Sequence, residues 1–456
     1  ASGASQTGFG RTGTVDWQTG SIKTATFTGE NGKGYFVNTT GGVVTANLPA
    51  SPTAGDIMAV SDYAQTATTN NITIGRNGSN IQGDASDLII QRNGVAFTLV
   101  FVDATKGWVV TDSGAEADKA AEAEFIQATG GTITTCGNFK IHTFTGPGTF
   151  TVCSVGNPTG STAVDYLVVA GGGGGAGGVG GGGGAGGFRL ANSVGCIPAP
   201  TMSPLVAPNS PNPAAIPVTA TAFPITVGAG GAGAPAGSPE FSGTEGCNGA
   251  VSTFSTITST GGGGGARRGS SQNAGSGGSG GGGAGEVATC GPQRQGGAGN
   301  TPPVSPSQGN NGGIGGISPS YRASGGGGGA AAVGTGACGT QTAGPGGIGT
   351  FVSPLMAGSN GTTGPVPSVR YFAGGGGGGT ESSPSLGLGS NGAGGAGGGG
   401  SGGPGPTAIG SGVSGTVNSG GGGGGASRYN CPSGRPSTRT GGTGGSGIVI
   451  IRYKFQ

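Results

Sequence analysis

The sequence predicts a mostly β protein with almost no α-helix. Its expected parts are an N-terminal β-sandwich-like module, a small β unit, and a bundle of left-handed polyglycine II helices joined by variable loops. Three observations predict this. Residues 1–113 alternate apolar and polar residues in short runs punctuated by turn pairs. From Tyr166 onward the chain repeats one phrase, a short lead-in that runs into five or six glycines. Only residues 114–127 are rich in helix formers.

In the first module the strand-like segments are Ile22–Phe27, Tyr35–Asn38, Val43–Leu48, Ile57–Val60, Ile72–Gly75, Leu88–Gln91, Ala96–Val102 and Gly107–Thr111. Pairs such as Gly41-Gly42, Asn77-Gly78 and Asn93-Gly94 separate them. Trp17 and Trp108 read as core aromatics. Residues 114–127 read as a helical connector, and residues 128–170 as a β unit leading into the bundle. Within that unit, Lys140–Phe144 and Thr149–Val152 flank Gly146-Pro147-Gly148 and read as a hairpin. Cys136 and Cys153 would then face each other and form a disulfide. The last residues, 448–456, read as a buried strand that pairs with the 140–169 region and closes the domain.

The runs are Gly171–Gly175, Gly261–Gly265, Gly325–Gly329, Gly374–Gly379 and Gly420–Gly425. Glycine is entropically the costliest residue to order. One ordered form open to it is the left-handed helix with about 3 residues per turn, which makes no internal hydrogen bonds. Its N–H and C=O groups then need partners in neighbouring segments. Disorder is the competing reading, since only 8% of residues are charged and 5% aromatic. The regular lead-ins argue against it. If each run opens a hairpin of helices entered from the same side, the segments 176–180, 266–274, 330–343, 380–391 and 426–440 share one end of a bundle spanning 171–447. Segments 188–225, 286–320, 350–370 and 404–416 then lie nearer the other end.

The composition excludes several classes. A net charge of +2 argues against a nucleic-acid binder. No stretch reaches the 18 or more apolar residues of a membrane span, and no signal peptide is visible. The single histidine, His142, lies in an alternating strand, so no catalytic triad or zinc site is expected, and no cofactor. No Gly-Lys-Ser/Thr occurs, which rules out a phosphate loop. An enzyme is the least expected reading. Seven cysteines suggest loops stapled outside a reducing compartment. Cys338 and Cys431 fall in two inside segments and can pair only if those segments cluster. Two of Cys196, Cys247 and Cys290 could also pair.

Asp165-Tyr-Leu-Val-Val-Ala-Gly-Gly-Gly-Gly-Gly175, Ile225-Thr-Val-Gly-Ala-Gly-Gly231 and Gly445-Ser-Gly-Ile-Val-Ile-Ile-Arg-Tyr453 resemble the glycine-rich domains of bacteriophage tail-fibre and adhesin proteins. Gly34-Tyr-Phe-Val-Asn-Thr-Thr-Gly-Gly42 and Asp103-Ala-Thr-Lys-Gly-Trp108 resemble a β module of phage fibres, notably of marine phages. The tip adhesins of T-even-like phages in that family stack polyglycine helices and bind host receptors through the loops between them. The resemblance therefore implies a virion fibre or adhesin that binds a host surface glycan or outer-membrane protein. Other fibre subunits are implied as partners, with a homotrimer by analogy. A structural decoration or extracellular filament subunit is the alternative. The inside segments carry Arg267, Arg268, Arg428, Arg435 and Arg439 with Tyr429, and Glu381 is their only acid. These are the candidate receptor-binding residues, and guanidinium forks suit anionic lipopolysaccharide or capsule.

Overall fold

The computed structural model describes residues 15–111, 123–194, 197, 214–235, 244–269, 273–286, 294–318, 322–337, 341–382, 389–404, 410–429 and 439–456, with the Tyr429 side chain outside that set. The described chain is mostly β-strand, with one short helix, Pro354–Ala357. Two compact units divide between Glu122 and Ala123.

In the first unit, one sheet holds Asp16–Trp17, Lys33–Val37, Ile57–Asp62, Ala96–Asp103 and Gly107–Val110. The other holds Phe27–Thr28, Val44–Asn47, Ile72–Gly75 and Leu88–Ile90. Up to Gly75 the chain alternates between the sheets and pairs parallel with the strand two before it. Lys33 lies opposite Met58, and Val44 opposite Ile72. The module is therefore a wound coil, which the last three strands close with antiparallel pairs. Period-2 patterning places Tyr35, Val37, Val44, Ala46, Met58, Val60, Ile72 and Ile74 in one core with Trp108. Trp17 departs from expectation. It is half-buried outside that core, over Gly34, where any Cβ would collide with the indole.

The second unit begins with residues 123–126, which are not helical, and a strand at Gln127–Thr129. The connector helix expected over 114–127 is thus absent from its described part; the remainder lies outside the described residues. The expected 140–152 hairpin does not form. Phe139–Phe144 pairs with Thr132–Cys136 on one side and Ile448–Lys454 on the other, so it has no free edge. Gly148–Ser154 joins another sheet, between Gln127–Thr129 and Ala222–Thr226. Cys136 and Cys153 therefore end up in different sheets as free thiols, and Cys247 is free as well. Cys196, Cys290, Cys338 and Cys431 lie outside the described residues.

The closing strand Ile448–Lys454 also pairs with Ala163–Val169. Both strands are buried on both faces, which explains their unbroken apolar runs. On one face Tyr166, Val168, Val449, Ile451 and Tyr453 pack with Phe150 and Phe254 of the other sheet. On the opposite face Leu167, Val169, Ile448 and Ile450 pack with Met356, Phe372, Ala185, Ala330 and Ala373. Those alanines are the ends of glycine-rich segments. The sheet is thereby the floor on which the glycine-rich region stands. Asp165, buried in its strand, accepts N–H bonds from Ser193 and Val194 and pairs with Arg452 at 3.1 Å. Burial pushes its carboxyl up to about 6 against those three donors.

The glycine-rich segments are neither α-helix nor strand, and their backbone bonds repeat every three residues. Gly171 and Gly174 donate to Ala250 and Cys247, Gly172 and Gly175 to Gly445 and Gly442, and Gly173 and Ala176 to Gly184 and Gly181. One segment, 180–187, exchanges such bonds with six others: 171–176, 261–266, 279–285, 325–330, 374–379 and 420–426. Each of those six also bonds to the next, through Gly262–Gly171, Gly263–Ser279, Gly325–Gly283, Gly327–Gly376, Gly422–Gly374 and Gly423–Gly173. This closed hexagon is ringed by outer segments. Those outer segments keep glycine where they face inward and place other residues outward. In 441–447, for example, Thr443 is exposed while Gly441, Gly442 and Gly445 are buried.

Bond directions show that successive segments alternate in sense. Gly183 and Gly186 donate to Gly423 and Gly420, an antiparallel relation, while Gly262 and Gly265 donate to Gly171 and Gly174, a parallel one. The runs at 171, 261, 374 and 420 all start at the sheet end. The run at 325 does not. Ser324 donates to Gly379 and Ala330 to Ala373, so this run starts at the far end and descends. The expectation that all five enter from the same side is corrected here. The lead-in Ala323-Ser324 is small and packs with Ala337 and Ala343 rather than with the sheet. Segments 330–343, 286–320 and 404–416 are also corrected: Ala330, expected at the far end, packs on the sheet. Glu286, bridged to Ile317, and Pro404 both reach the far end.

A Cβ at Gly183 would collide with the carbonyl oxygen of Gly173. Replacing Gly183 with Ala should therefore destabilise the second unit by about 3 kcal/mol or more. Ala232→Ser, at an exposed position of the same bonding repeat, should stay within about 0.5 kcal/mol. Chemical denaturation of the two variants checks the contrast.

His142 is fully buried and stacks on Tyr453. Its Nδ1 donates to the Gly130 carbonyl at 2.7 Å, which leaves Nε2 to accept from the Tyr453 hydroxyl at 3.1 Å. Burial, opposed by the Gly130 carbonyl and aided by Lys140, lowers its pKa from 6.5. The neutral ring is the folded form, so its stabilisation is complete above the unfolded pKa and is lost as pH falls below it. The stability gap between the wild type and His142→Gln should therefore shrink from about pH 7.5 to about pH 5. Denaturation midpoints across that range read it directly.

Candidate functional site

The far end of the glycine-rich region gathers turns of unrelated sequence onto one rigid base. The two-residue strands Glu381–Ser382 and Arg428–Tyr429 pair parallel there. Arg428 donates its backbone N–H to Thr380, and Glu381 donates to Arg322. Ser427 ties the corner together. Its hydroxyl accepts from the Thr380 N–H at 3.0 Å and donates to the Gly403 carbonyl at 2.6 Å. These side chains sit where glycine segments end, because only there is there room for them.

Glu381 is 2% exposed. Arg322 Nη1 bonds its Oε2, and Arg428 Nε lies 3.9 Å from its Oε1. At that distance Arg428 neutralises charge without making a hydrogen bond, and Oε1 has no hydrogen-bond donor. Arg268 is half-buried within electrostatic reach of Arg322, Glu381, Arg428 and Glu286. Glu286 accepts the Gly269 N–H at 2.8 Å and pairs with Arg294 at 3.6 Å. Arg439 is 8% exposed and donates Nη1 to the Ser427 carbonyl at 2.5 Å. Burial lowers the pKa of Arg439, and its neighbour Arg428 lowers it further.

The structure thus brings Arg268, Arg428, Arg439 and Glu381 together. They were expected as an exposed surface; instead Arg439 and Glu381 are buried and the other two half-buried, because they pair with one another and with backbone carbonyls at the segment ends. Arg267 is half-buried beside them in sequence, the Tyr429 backbone belongs to the same corner, and Arg435 lies outside the described residues. Sequence reasoning missed Arg322, Arg294 and Glu286. Arg322 stands in Tyr321-Arg322-Ala323-Ser324, the lead-in to Gly325–Gly329, and the other two fell in a segment assigned to the opposite end. The signal for Arg322 was the small Ala323-Ser324 after it, unlike the Leu-Val-Val-Ala and Tyr-Phe-Ala lead-ins.

Among the described residues no helix is long and apolar enough to cross a membrane, and no group of three or more metal-binding side chains occurs. Glycine segments bonded to one another every third residue, standing on a β floor, define a glycine-rich domain. The glycine-rich domain family matches residues 143–454, most of the second unit, and the chain belongs to that family. A search among curated proteins gives no match.

Arg322→Ala removes the guanidinium that bonds the buried Glu381 Oε2 and leaves Arg428 at 3.9 Å and Arg268 at electrostatic range. Removing one member of a buried pair is expected to cost about 3 kcal/mol. Denaturant titration should show that loss, and hydrogen exchange should show it concentrated at Thr380, Glu381 and Arg428.

Proposed function

We propose that this chain is a bacteriophage attachment protein, a tail-fibre subunit or tip adhesin of the virion, and therefore extracellular. In this reading the glycine segments are polyglycine II helices, which rise about 3.1 Å per residue in a three-fold turn. The three-residue bonding repeat and the six neighbours of segment 180–187 support that reading. The helices form a stiff rod end that holds the far turns apart from the β unit. The partner is a host surface glycan or an outer-membrane protein, and trimerisation with other subunits is carried over from phage fibres by analogy.

The single observation behind the proposal is the sorting of the turns. Segments around 177–180, 267–269, 381–382 and 427–429 converge on one end and share no sequence pattern, while at the other end the sheet residues Leu167, Val169, Ile448 and Ile450 pack against segment ends. Rigid scaffolds that present variable loops are suited to recognition. A second reading, a virion decoration that binds no receptor, draws on the burial of Glu381 and Arg439, which suits a purely structural corner.

Antibody against the full chain separates the two. On virus particles carrying the protein it should label fibre tips and block adsorption to host cells. Labelling of the capsid surface with adsorption intact would establish the decoration instead.

A further inference from the structure

We infer that the open edge of strand Thr132–Cys136 is a self-association surface, where a second copy of this chain pairs antiparallel about a two-fold axis. Such pairing does not depend on the attachment reading. Thr132–Cys136 is the outer strand of its sheet and pairs with Phe139–Phe144 alone. Its first four residues are exposed, Ile133 at 45%. The pairing registers show which backbone groups are open. In an antiparallel ladder, residue pairs that exchange both bonds alternate with pairs that exchange none. Phe455 donates to the Asn138 carbonyl, one step beyond the Phe139–Lys454 pair. Asn138, Lys140 and His142 therefore bond toward Ile448–Lys454, and Phe139, Ile141 and Thr143 bond toward Thr132–Cys136. The partners of those three are Cys136, Thr134 and Thr132. The N–H and C=O of Ile133 and Thr135 are left pointing outward, and no other described segment bonds to them.

Other edges are short or covered. Among the described residues, every other edge strand has four residues or fewer. Phe188, Leu190 and Ala191 of one are buried, and Trp108 of another bonds outward to Asn80 and Gln82. Thr132–Cys136 has five residues in unbroken register, four of them β-branched. It carries no charge, proline or bulge, the devices that keep exposed edges from pairing. A second copy fits this edge for two reasons. A neutral strand meets its own image with no like charges opposite one another. Centring the axis on Thr134 also uses every open group, because Ile133 then exchanges both bonds with the partner's Thr135, and Thr135 with the partner's Ile133. Thr134 faces its own counterpart in a non-bonded pair, with Cα atoms about 4.5 Å apart. The contact is the same patch on both copies, so it closes as a dimer. It is also small, so the dimer should dissociate on dilution.

Sedimentation of the full chain, from micromolar to sub-millimolar concentration, should show a monomer–dimer equilibrium. Hydrogen exchange should show the Ile133 and Thr135 amides gaining protection as the dimer forms. Thr134→Lys places two ammonium groups opposite each other in the dimer. Because Thr134 is exposed, the variant should keep the wild-type thermal midpoint at high dilution, while its dimerisation weakens about ten-fold or more. Thr134→Cys should form a disulfide-linked dimer under mild oxidation, since the expected Cα spacing lies within the range of about 4.4 to 6.8 Å that a disulfide spans. Peptide mapping should find residue 134 linked to residue 134, which separates this product from any link through the exposed native thiols Cys153 and Cys247. A wild-type chain that stays monomeric throughout would overturn the inference. So would a dimer or trimer whose affinity Thr134→Lys leaves unchanged, because the copies would then meet on another surface. Failure of Thr134→Cys to link through residue 134 in a dimeric sample would overturn it as well.

Discussion

The structure depends on one steric fact, that glycine has no Cβ. At the centre of the second unit, backbones approach so closely that the N–H groups of 180–187 reach carbonyls on several neighbours in turn, and its own carbonyls are reached by others. Any side chain there would occupy the space of a neighbouring carbonyl, as at Gly182, Gly183 and Gly184. The entropic cost of ordering glycine is offset by backbone bonding in every direction, with weak Cα–H···O contacts at the same interfaces. Cohesion comes from peptide groups, which is why a chain with 32% hydrophobic residues can hold a region of this size.

That constraint sorts side chains by position. Inner segments admit only glycine and a few alanines or serines. Outer segments admit a side chain at the position that faces solvent, as Ala229 and Ala232 or Thr342, Pro345 and Ile348 show. From the inner segments bulky groups are excluded to the two ends. Apolar ones collect at the sheet, where Leu167, Ile448, Phe372 and Met356 pack against segment ends. Charged ones collect at the other end, where Arg322, Arg428 and Arg439 surround Glu381 and Ser427. Polarity along the axis thus follows from packing, with attachment proposed for the charged end.

The β unit is coupled to the bundle through the two strands buried on both faces. Ala163–Val169 runs directly into 171–176, and 441–447 runs directly into Ile448–Lys454. The two strands pair, and their continuations bond to each other through Gly172–Gly445 and Gly175–Gly442. The register set by Val169 opposite Ile448 therefore carries into the glycine region. His142 and the Asp165–Arg452 pair lock the same strands from either side, so the floor and the bundle should lose order together.

By itself the sequence determined most strand positions of the first module from Lys33 onward, the glycine runs as a structural element, and the closing strand, because each rests on local patterning: period-2 alternation, absent side chains, an unbroken apolar run. Before Lys33 it missed Asp16–Trp17 and drew Ile22–Phe27 where only Phe27–Thr28 is a strand. Tertiary structure decided what the pattern leaves open. Parallel coil and antiparallel sandwich share the same alternation, so the winding of 16–75 could not be read from it. Phe139–Phe144 lost its hairpin partner to a strand more than 300 residues away in the chain, Ile448–Lys454. The direction of a glycine run is equally invisible, since a run reads the same from either end. The small lead-in Ala323-Ser324 marks the reversal only once the sheet shows where large lead-ins must go. The arginine corner followed from that reversal, because it carried Arg322 to the end where Glu381 lies, and burial there is a property of the packed turns rather than of any one of them.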